Sequence, residues 1–526
     1  MLEDVPVEER TRTPMDVTTL MRQAAELNAD RTAIITEQGA LTFAQAWTRA
    51  VRLANALRAL GVRPGDRVAG LEDNNLGCVD TVLGCAIAGA VRVPLYPRNS
   101  PEAHAHMIAS TEAKVLLTDE VFTDSVQGLP AQLDCLERII VRDNTYEQWL
   151  TEQDDTDPYV PIDPDSWYII RFSGGTTGKP KGVAYTHHDW VLNCRNWAYG
   201  AERMHRASVI GHAGPISHAS GYLFLPGWLA GATNLMFGVF EPGKVLAMMT
   251  EHRVSHIFAS PSLLAVLARH PAAAEQGWPH LRTIVVGGAP ITDATALLGR
   301  KVFGDTLCQG FGQTEAVPIS FMASEEWFAE IEGSEPMRSA GRVAPYAQVQ
   351  IRDEDGNVVP IGEPGEIVAK VEGQMRSYWR DEELTKTRLV DGWVRTKDIG
   401  RLDRNGFLYV LDRVEDMIVS GGFNIWPAEL ETVLADHPAV LEAAVFGIPD
   451  QRWGETPMAV VTVTDPTAVT ADELIELCRE RLGSYKKPSR VEFTTEPLPK
   501  SVVGKLLRKQ LREPHWAGHT SRVSGA

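Results

Sequence analysis

Trp167-Tyr168-Ile169-Ile170-Arg171-Phe172-Ser173-Gly174-Gly175-Thr176-Thr177-Gly178-Lys179-Pro180-Lys181-Gly182 decides how this chain is read. The stretch opens as an apolar, strand-like run and continues as a glycine-rich turn. Gly174, Gly175 and Gly178 let the backbone turn tightly and bring N–H groups against an anion. The hydroxyls of Ser173, Thr176 and Thr177 and the ammonium groups of Lys179 and Lys181 add donors and positive charge. By composition this is a polyphosphate clamp. It is not a Walker A loop, because no Gly-Lys-Ser/Thr follows a glycine at the required spacing.

Outward from this loop, the first 310 residues alternate between helical and strand-like segments. Residues 42–60 predict an amphipathic helix. Thr42 and Gln45 form a capping box, Phe43, Trp47, Val51, Ala54 and Leu57 recur at helical spacing, and Gly61 closes it. Apolar runs at 91–96, 115–118, 138–141, 167–172, 256–259 and 283–286 predict strands. The fold class is therefore α/β, with stacked βαβ units and largely parallel sheets. Near residue 341 short strands separated by turn signals such as Asp355-Gly356-Asn357 predict a small antiparallel module. After Asp412 the pattern turns mixed again, with helices from Pro427 to Leu434 and Ala471 to Leu482. The expected organisation is a large N-terminal domain, 1–411, with a β-rich submodule at 340–411. A small mobile α+β domain, 412–526, follows, and a solvated tail is expected from about Glu513.

The chain has 526 residues, which at ~100–200 per domain gives two to four domains. Hydrophobic residues at 44% and charged residues at 23% exclude a disordered or fibrous chain. Lys+Arg 51 against Asp+Glu 69 leaves −18, so no nucleic-acid partner and no anionic membrane surface is expected. Residues 207–240 carry no Asp, Glu, Lys or Arg and are long enough to cross a bilayer. His212, His218, Asn234, Pro215, Pro226 and repeated glycines there predict buried pieces of a large core instead, with no membrane span. Six cysteines without a metal spacing fit a reducing, cytoplasmic setting. The opening Met-Leu-Glu-Asp-Val-Pro has no basic region followed by an apolar stretch, so no signal peptide is expected.

Further segments carry chemistry. Gly287-Gly288-Ala289-Pro290 follows an apolar run, and Gly310-Phe311-Gly312-Gln313-Thr314-Glu315 comes next. Asp398 closes Thr396-Lys397-Asp398, and Arg413 opens Arg413-Val414-Glu415-Asp416. Ser420-Gly421-Gly422-Phe423-Asn424 follows, and Lys505 ends Pro499-Lys500-Ser501-Val502-Val503-Gly504-Lys505. Together with the 173–182 loop, these segments in this order resemble the motifs of the adenylate-forming superfamily, in its acyl-CoA synthetase branch. The resemblance covers residues 20 to 512.

That resemblance implies ATP-dependent activation of a carboxylic acid to an acyl-adenylate, with release of pyrophosphate, and then transfer to the thiol of coenzyme A. ATP, Mg²⁺ and coenzyme A are the implied cofactors. Such a transfer is catalysed mainly by positioning and charge neutralisation. The 173–182 loop would hold the β- and γ-phosphates, Thr314 would donate to the α-phosphate, and Glu315 would ligate Mg²⁺. Gly288, Ala289 and Pro290 would flank the adenine, Phe311 would stack on it between Gly310 and Gly312, and Asp398 would bind the ribose. Arg413 joins the nucleotide-binding set, and Gly421, Gly422 and Phe423 would line a pantetheine tunnel. Lys505 would bridge the attacking carboxylate and the α-phosphate. Glu415 takes the hinge position, and His218, with Ala219 and Gly221, would line the acyl pocket.

Four positions depart from the commoner family residues: Lys397 for Gly, Glu415 for Asp or Lys, Asp412 for Gly and Phe311 for Tyr. The alternative acceptor is a carrier protein or another nucleophile; with 21 residues after Lys505, a carrier is expected in trans. A non-catalytic nucleotide-binding relative would need neither Lys505 nor Glu315. Val209-Ile210-Gly211-His212 comes near a class I tRNA synthetase signature but lies mid-chain with no lysine-rich partner motif. No Asp in 215–224 serves an α-amino group, and small Ala219, Ser220 and Gly221 leave space beside His218. An aromatic, medium-chain or otherwise bulky acid fits, on a monomer or homodimer.

Overall fold

The computed structural model describes residues 16–173, 180–413, 416–420, 423–450, 453–484, 486–500 and 506–517. Two large sheets carry the N-terminal part. In one, nine strands surround a parallel centre that includes His256–Ala259, Thr283–Gly287 and Leu307–Gln313. The other has seven strands, with Trp167–Ser173, Val91–Leu95, Arg67–Leu71, Val115–Asp119 and Arg138–Arg142 parallel. Strands covered by helices on both faces are buried along their whole length and mostly apolar. Val91–Leu95, Val115–Asp119 and Thr283–Gly287 are buried at every residue. The edges are antiparallel: Lys181–Thr186 returns along Trp167–Ser173, and Ala316–Met322 along Leu307–Gln313.

The helix Phe43–Ala59 has both halves of its capping box, with Thr42 receiving the Gln45 N–H and Gln45 receiving the Thr42 N–H. The charge-free stretch breaks into strands Val209–His212 and Thr233–Met236 around the short helix Phe224–Leu229. Among the described residues no helix is long and apolar enough to cross a membrane.

The β-rich submodule is a five-stranded antiparallel sheet of Ala347–Arg352, Gly365–Val371, Trp393–Leu402, Leu389–Val390 and Leu408–Arg413. The chain then forms a β/α module with a core of its own. Leu430 and Leu434 of helix Pro427–Ala435 and Leu474 and Cys478 of helix Ala471–Leu482 pack with Val445 and Val461 of the hairpin Val440–Asp450/Gly454–Val463.

The solvated tail expected from Glu513 is corrected in its first residues, 513–516, which belong to helix Arg508–Trp516; residues 518–526 lie outside the described residues. Trp516 Nε1 donates to the Gly447 carbonyl at 2.9 Å, and this contact holds the helix end against the sheet.

Candidate active site

The glycine-rich turn departs from a hairpin. Ser173 and Lys181 are direct partners across Trp167–Ser173 and Lys181–Thr186, so the two residues flanking the turn are fixed by ladder hydrogen bonds. Gly174, Gly175, Thr176, Thr177, Gly178 and Lys179 lie outside the described residues.

Ser173 reaches across the sequence to Glu315. Its Oγ donates to Glu315 Oε1 at 3.1 Å, and the Tyr378 hydroxyl donates to the same oxygen at 2.7 Å. The carboxylate is buried. Burial, and then the Glu315 charge, raises the Tyr378 pKa, so the phenol remains a donor at ordinary pH. Glu315 Oε2 makes no hydrogen bond among the described residues. The carbonyl of adjacent Thr314 accepts from the Tyr185 hydroxyl, which braces the same turn from the opposite side.

Asp398 stands on the neighbouring wall, buried. Gln313 Nε2 donates to Asp398 Oδ2 at 2.6 Å and to the Thr396 carbonyl at 2.7 Å, while Arg388 reaches Gln313 Oε1 at 3.4 Å. Within the strand Trp393–Leu402, whose pairing with Gly365–Val371 is irregular here, Lys397 takes φ 61, the left-handed region. Its N–H donates to Glu366 at 3.1 Å, and Glu366 pairs with Arg395. Arg413 is the strand partner of Asp398.

Gly287 lies opposite Gly310 in adjacent parallel strands, and a Cβ on Gly287 would stand 2.5 Å from the Gly310 carbonyl oxygen. That close approach requires glycine; Gly288 and Pro290 beyond it are exposed and Phe311 is half-buried. Gly312 sits in the bulge beyond it, where a Cβ would strike Val317 and the Ala316 carbonyl.

His218 lies edge-on to Tyr96 with ring centroids 5.7 Å apart. Burial, with the Arg171 guanidinium beside it, pushes its pKa down to about 3, so the imidazole is neutral. Gly221 has a reason other than space for an acyl group. A Cβ there would lie 2.0 Å from the Ile216 carbonyl oxygen, so the turn's own backbone excludes it. Ser220 is also engaged, with its hydroxyl 3.0 Å from Nδ1 of His212, whose Nε2 meets Asn234 at 2.8 Å. Ala219, half-buried, remains the small residue beside His218.

Lys505, Glu415, Gly421 and Gly422 lie outside the described residues, as do the side chains of Arg413 and Phe423. Their flanks are ordered by pairing. Lys500 bridges Leu506 on either side of 501–505, and Ser420 pairs with Phe423 around 421–422. Asp416 is tied to the C-terminal helix by Arg508 at 3.2 Å and Arg512 at 3.7 Å.

Sequence reading missed Tyr378, Gln313 and Arg388. Tyr378 sits in a two-residue strand, Ser377–Tyr378, with no local signal. Gln313 lay inside a motif already read, as the residue before Thr314 and Glu315.

The AMP-binding enzyme family model matches residues 21–379, and that of the AMP-binding enzyme C-terminal domain matches residues 429–505. The chain is 37% identical to a feruloyl-CoA synthase of Amycolatopsis sp over 494 residues, which span 93% of this chain and 96% of the relative. It superposes on the O-succinylbenzoate coenzyme A synthetase MenE of Bacillus subtilis, solved with AMP, with TM-score 0.82 at 30% identity, covering 96% and 99% of the two chains. It is also similar to the amide bond synthetase McbA of Marinactinospora thermotolerans, with TM-score 0.86 at 28% identity, covering 94% and 99%.

Proposed function

The chain belongs to the AMP-binding enzyme family, and from that premise we propose how its residues divide the work of an acyl-CoA synthetase. The enzyme is an AMP-forming acid–thiol ligase. It activates a carboxylic acid with ATP to an acyl-adenylate, releases pyrophosphate, and transfers the acyl group to coenzyme A.

A carboxylate is a poor electrophile, so the first half-reaction depends on holding it in line with the α-phosphate while negative charge accumulates. The observation that carries the assignment is the buried Glu315 carboxylate, held by Ser173 and Tyr378 where the phosphate hairpin meets Thr314. Its donor set fits Mg²⁺: Oε1 is pinned by two hydroxyls, and Oε2 faces no competing donor among the described residues. When bound, Mg²⁺ supplies neutralisation of phosphate charge.

Thr314 donates to the α-phosphate. Asp398, oriented by Gln313, receives the ribose hydroxyls, and Phe311 covers the adenine opposite Gly288–Pro290. Ser173 and Lys181 fix the loop that holds the β- and γ-phosphates. Lys505 delivers its ammonium to the carboxylate–phosphate junction. His218, neutral, borders the acid without adding charge. The C-terminal unit, from about residue 412, carries Lys505 and the 420–424 loop to the site in turn. Six free cysteines, five of them buried, fit a cytoplasmic setting.

The likeness to an amide bond synthetase favours a second reading, in which the adenylate passes to a carrier protein or an amine. A pyrophosphate-release screen over carboxylic acids, with mass spectrometry of products with and without CoA, decides between them. Acyl-CoA formation is expected. Acid-dependent pyrophosphate release with no thioester at any CoA concentration would select the second acceptor.

A further inference from the structure

Two arginines are buried on neighbouring strands of the seven-stranded sheet, in otherwise apolar runs. Arg92 in Val91–Leu95 is 6% exposed and Arg171 in Trp167–Ser173 is 4% exposed. The backbones of the two strands pair at Arg92 and Ile169, so the arginines are close neighbours in the sheet. A guanidinium stays charged at any pH a protein meets, and a buried charge is ordinarily paired.

Neither has a carboxylate partner among the described residues. Arg92 Nε and Arg171 Nη1 are buried without a hydrogen-bond partner, and among the described residues neither side chain forms an ion pair. Two carboxylates whose charges act on the same groups as these arginines are committed elsewhere. Glu315, whose charge reaches the same tyrosines as Arg171, is held by Ser173 and Tyr378. Glu72 is taken by Arg142 at 2.6 Å. What Arg171 has instead is neutral: its guanidinium carbon lies 4.2 Å from the Tyr222 ring centroid and 5.6 Å from that of Trp190.

Both arginines border the acyl side of the site. Arg171 acts electrostatically on His218. Arg92 lines a small internal cavity with Tyr168, Trp190, Ile216, Gly221 and Phe224, so Trp190 lies beside both cations. The cavity measures about 10 Å³, room for little more than one water, so a longer acyl tail must open it.

We propose that Arg92 and Arg171 form the anion-reading end of the acyl pocket, so that the preferred acid is a dicarboxylate whose second carboxylate supplies their missing counter-charge. This rests on the acyl-CoA synthetase reading above. A monocarboxylic acid of the same length leaves both guanidiniums uncompensated, whereas a distal carboxylate makes charge-assisted, bidentate hydrogen bonds with them. Discrimination then comes from the penalty of an unpaired buried group, which exceeds what apolar contacts alone achieve.

The test compares acids that differ only in a terminal methyl or carboxylate: hexanoate with adipate, octanoate with suberate, and 4-methylphenylacetate with 4-carboxyphenylacetate. Wild-type kcat/KM for acid-dependent pyrophosphate release should favour the diacid at least tenfold in one pair. Arg171→Met and Arg92→Met should remove that preference, and Arg92→Lys should recover part of it. Each Met variant should also melt higher than wild type without substrate, because an unpaired buried charge has been removed. A merely structural arginine would melt lower on replacement. Turnover of the monoacids in preference to their diacids in every pair overturns this inference and leaves the synthetase reading standing. Absence of acid-dependent pyrophosphate release from every acid overturns both.

Discussion

The Tyr378 hydroxyl and the Glu315 carboxylate lie 2.7 Å apart across 63 residues of sequence, and Ser173 reaches the same oxygen at 3.1 Å. One hydroxyl comes from the hairpin Trp167–Ser173/Lys181–Thr186 and the other from the strand that pairs with its far side, Ser377–Tyr378 against Lys181–Thr186. The carboxylate is therefore held by this hairpin and the edge strand paired with it.

Tyr378→Phe keeps the ring and removes that donor. Outer groups that orient a metal ligand typically contribute ~10–100-fold to metal affinity or activity. The Mg²⁺ concentration for half-maximal pyrophosphate release should rise by about that factor, with the melting temperature little changed. Glu315→Gln, which loses the charge itself, should raise it further. Wild-type Mg²⁺ titrations in both variants would place the metal's carboxylate elsewhere.

Lys397 occupies the left-handed region at φ 61, where the commoner family residue is glycine. A non-glycine residue there costs ~1–2 kcal/mol, while glycine loses ~1 kcal/mol through unfolded-state entropy. Lys397→Gly should leave stability unchanged or raise it by up to ~1 kcal/mol, and pyrophosphate release should persist. Lys397→Val adds a β-branched side chain at the same φ and should lower stability by ~1 kcal/mol or more. Chemical denaturation of the three proteins measures this. Equal stability of the valine variant and wild type would mean that Lys397 is not held in the left-handed region in solution.

How much of this was legible beforehand depended on the range of the interactions. The capping box at Thr42 and Gln45 and the fully buried strand Thr283–Gly287 are written locally, so periodicity and turn chemistry reveal them. Tyr378 meets Glu315 only once an edge strand docks, and nothing within ten residues of either announces it. Gly221 reads as space beside His218, and the Ile216 carbonyl, which excludes a side chain there, is a further reason that no local signal shows. Trp516 pins to Gly447 a helix that looks, by charge alone, like a solvated tail. Arg92 and Arg171 did carry a signal, a lone charge inside each apolar run, which strand recognition passes over.

His187 and His212 are fully buried, and burial pushes each pKa down to about 4. Unfolded, each titrates near 6.5. Between pH ~6.5 and ~4 the unfolded chain therefore binds more protons, so stability is complete above that window and falls as pH drops through it. The slope is ~1.4 kcal/mol per pH unit for each group. Urea midpoints measured from pH 7.5 to 4.5 should decline accordingly, and His187→Phe should flatten the decline by about one proton. An identical pH slope in the variant would mean that His187 is solvated.

Lys505 follows the frame Pro499–Gly504 and is expected to serve adenylation only. Lys505→Ala should lower acid-dependent pyrophosphate release by ~10²–10⁴-fold, the loss expected for a charged transition-state contact. Thioester formation from supplied acyl-adenylate should be spared. Lysine acetylation removes the same charge and should reproduce the variant. Undiminished pyrophosphate release in Lys505→Ala would remove the residue from the mechanism.

The two half-reactions make opposite demands on the C-terminal unit. In the proposed mechanism, adenylation needs Lys505 over a closed phosphate site, and thiol attack needs an open path to the acyl carbonyl with the lysine withdrawn. A small unit turning on a short hinge meets both demands at low cost. The attachment points bracket where such a hinge must lie. Arg413 is laddered to Asp398 in the β-rich sheet, whereas Asp416 is ion-paired to Arg508 and Arg512 of the C-terminal helix. The backbone thus changes partners between residues 413 and 416, with Glu415 inside that interval. Proline fixes φ and removes the N–H, so Glu415→Pro should hold one arrangement. Pyrophosphate release should be retained and acyl-thioester formation largely lost, each followed separately in single-turnover reactions. An equal fall in both half-reactions, or no change in either, would place the rotation at another residue and leave Glu415 a surface carboxylate.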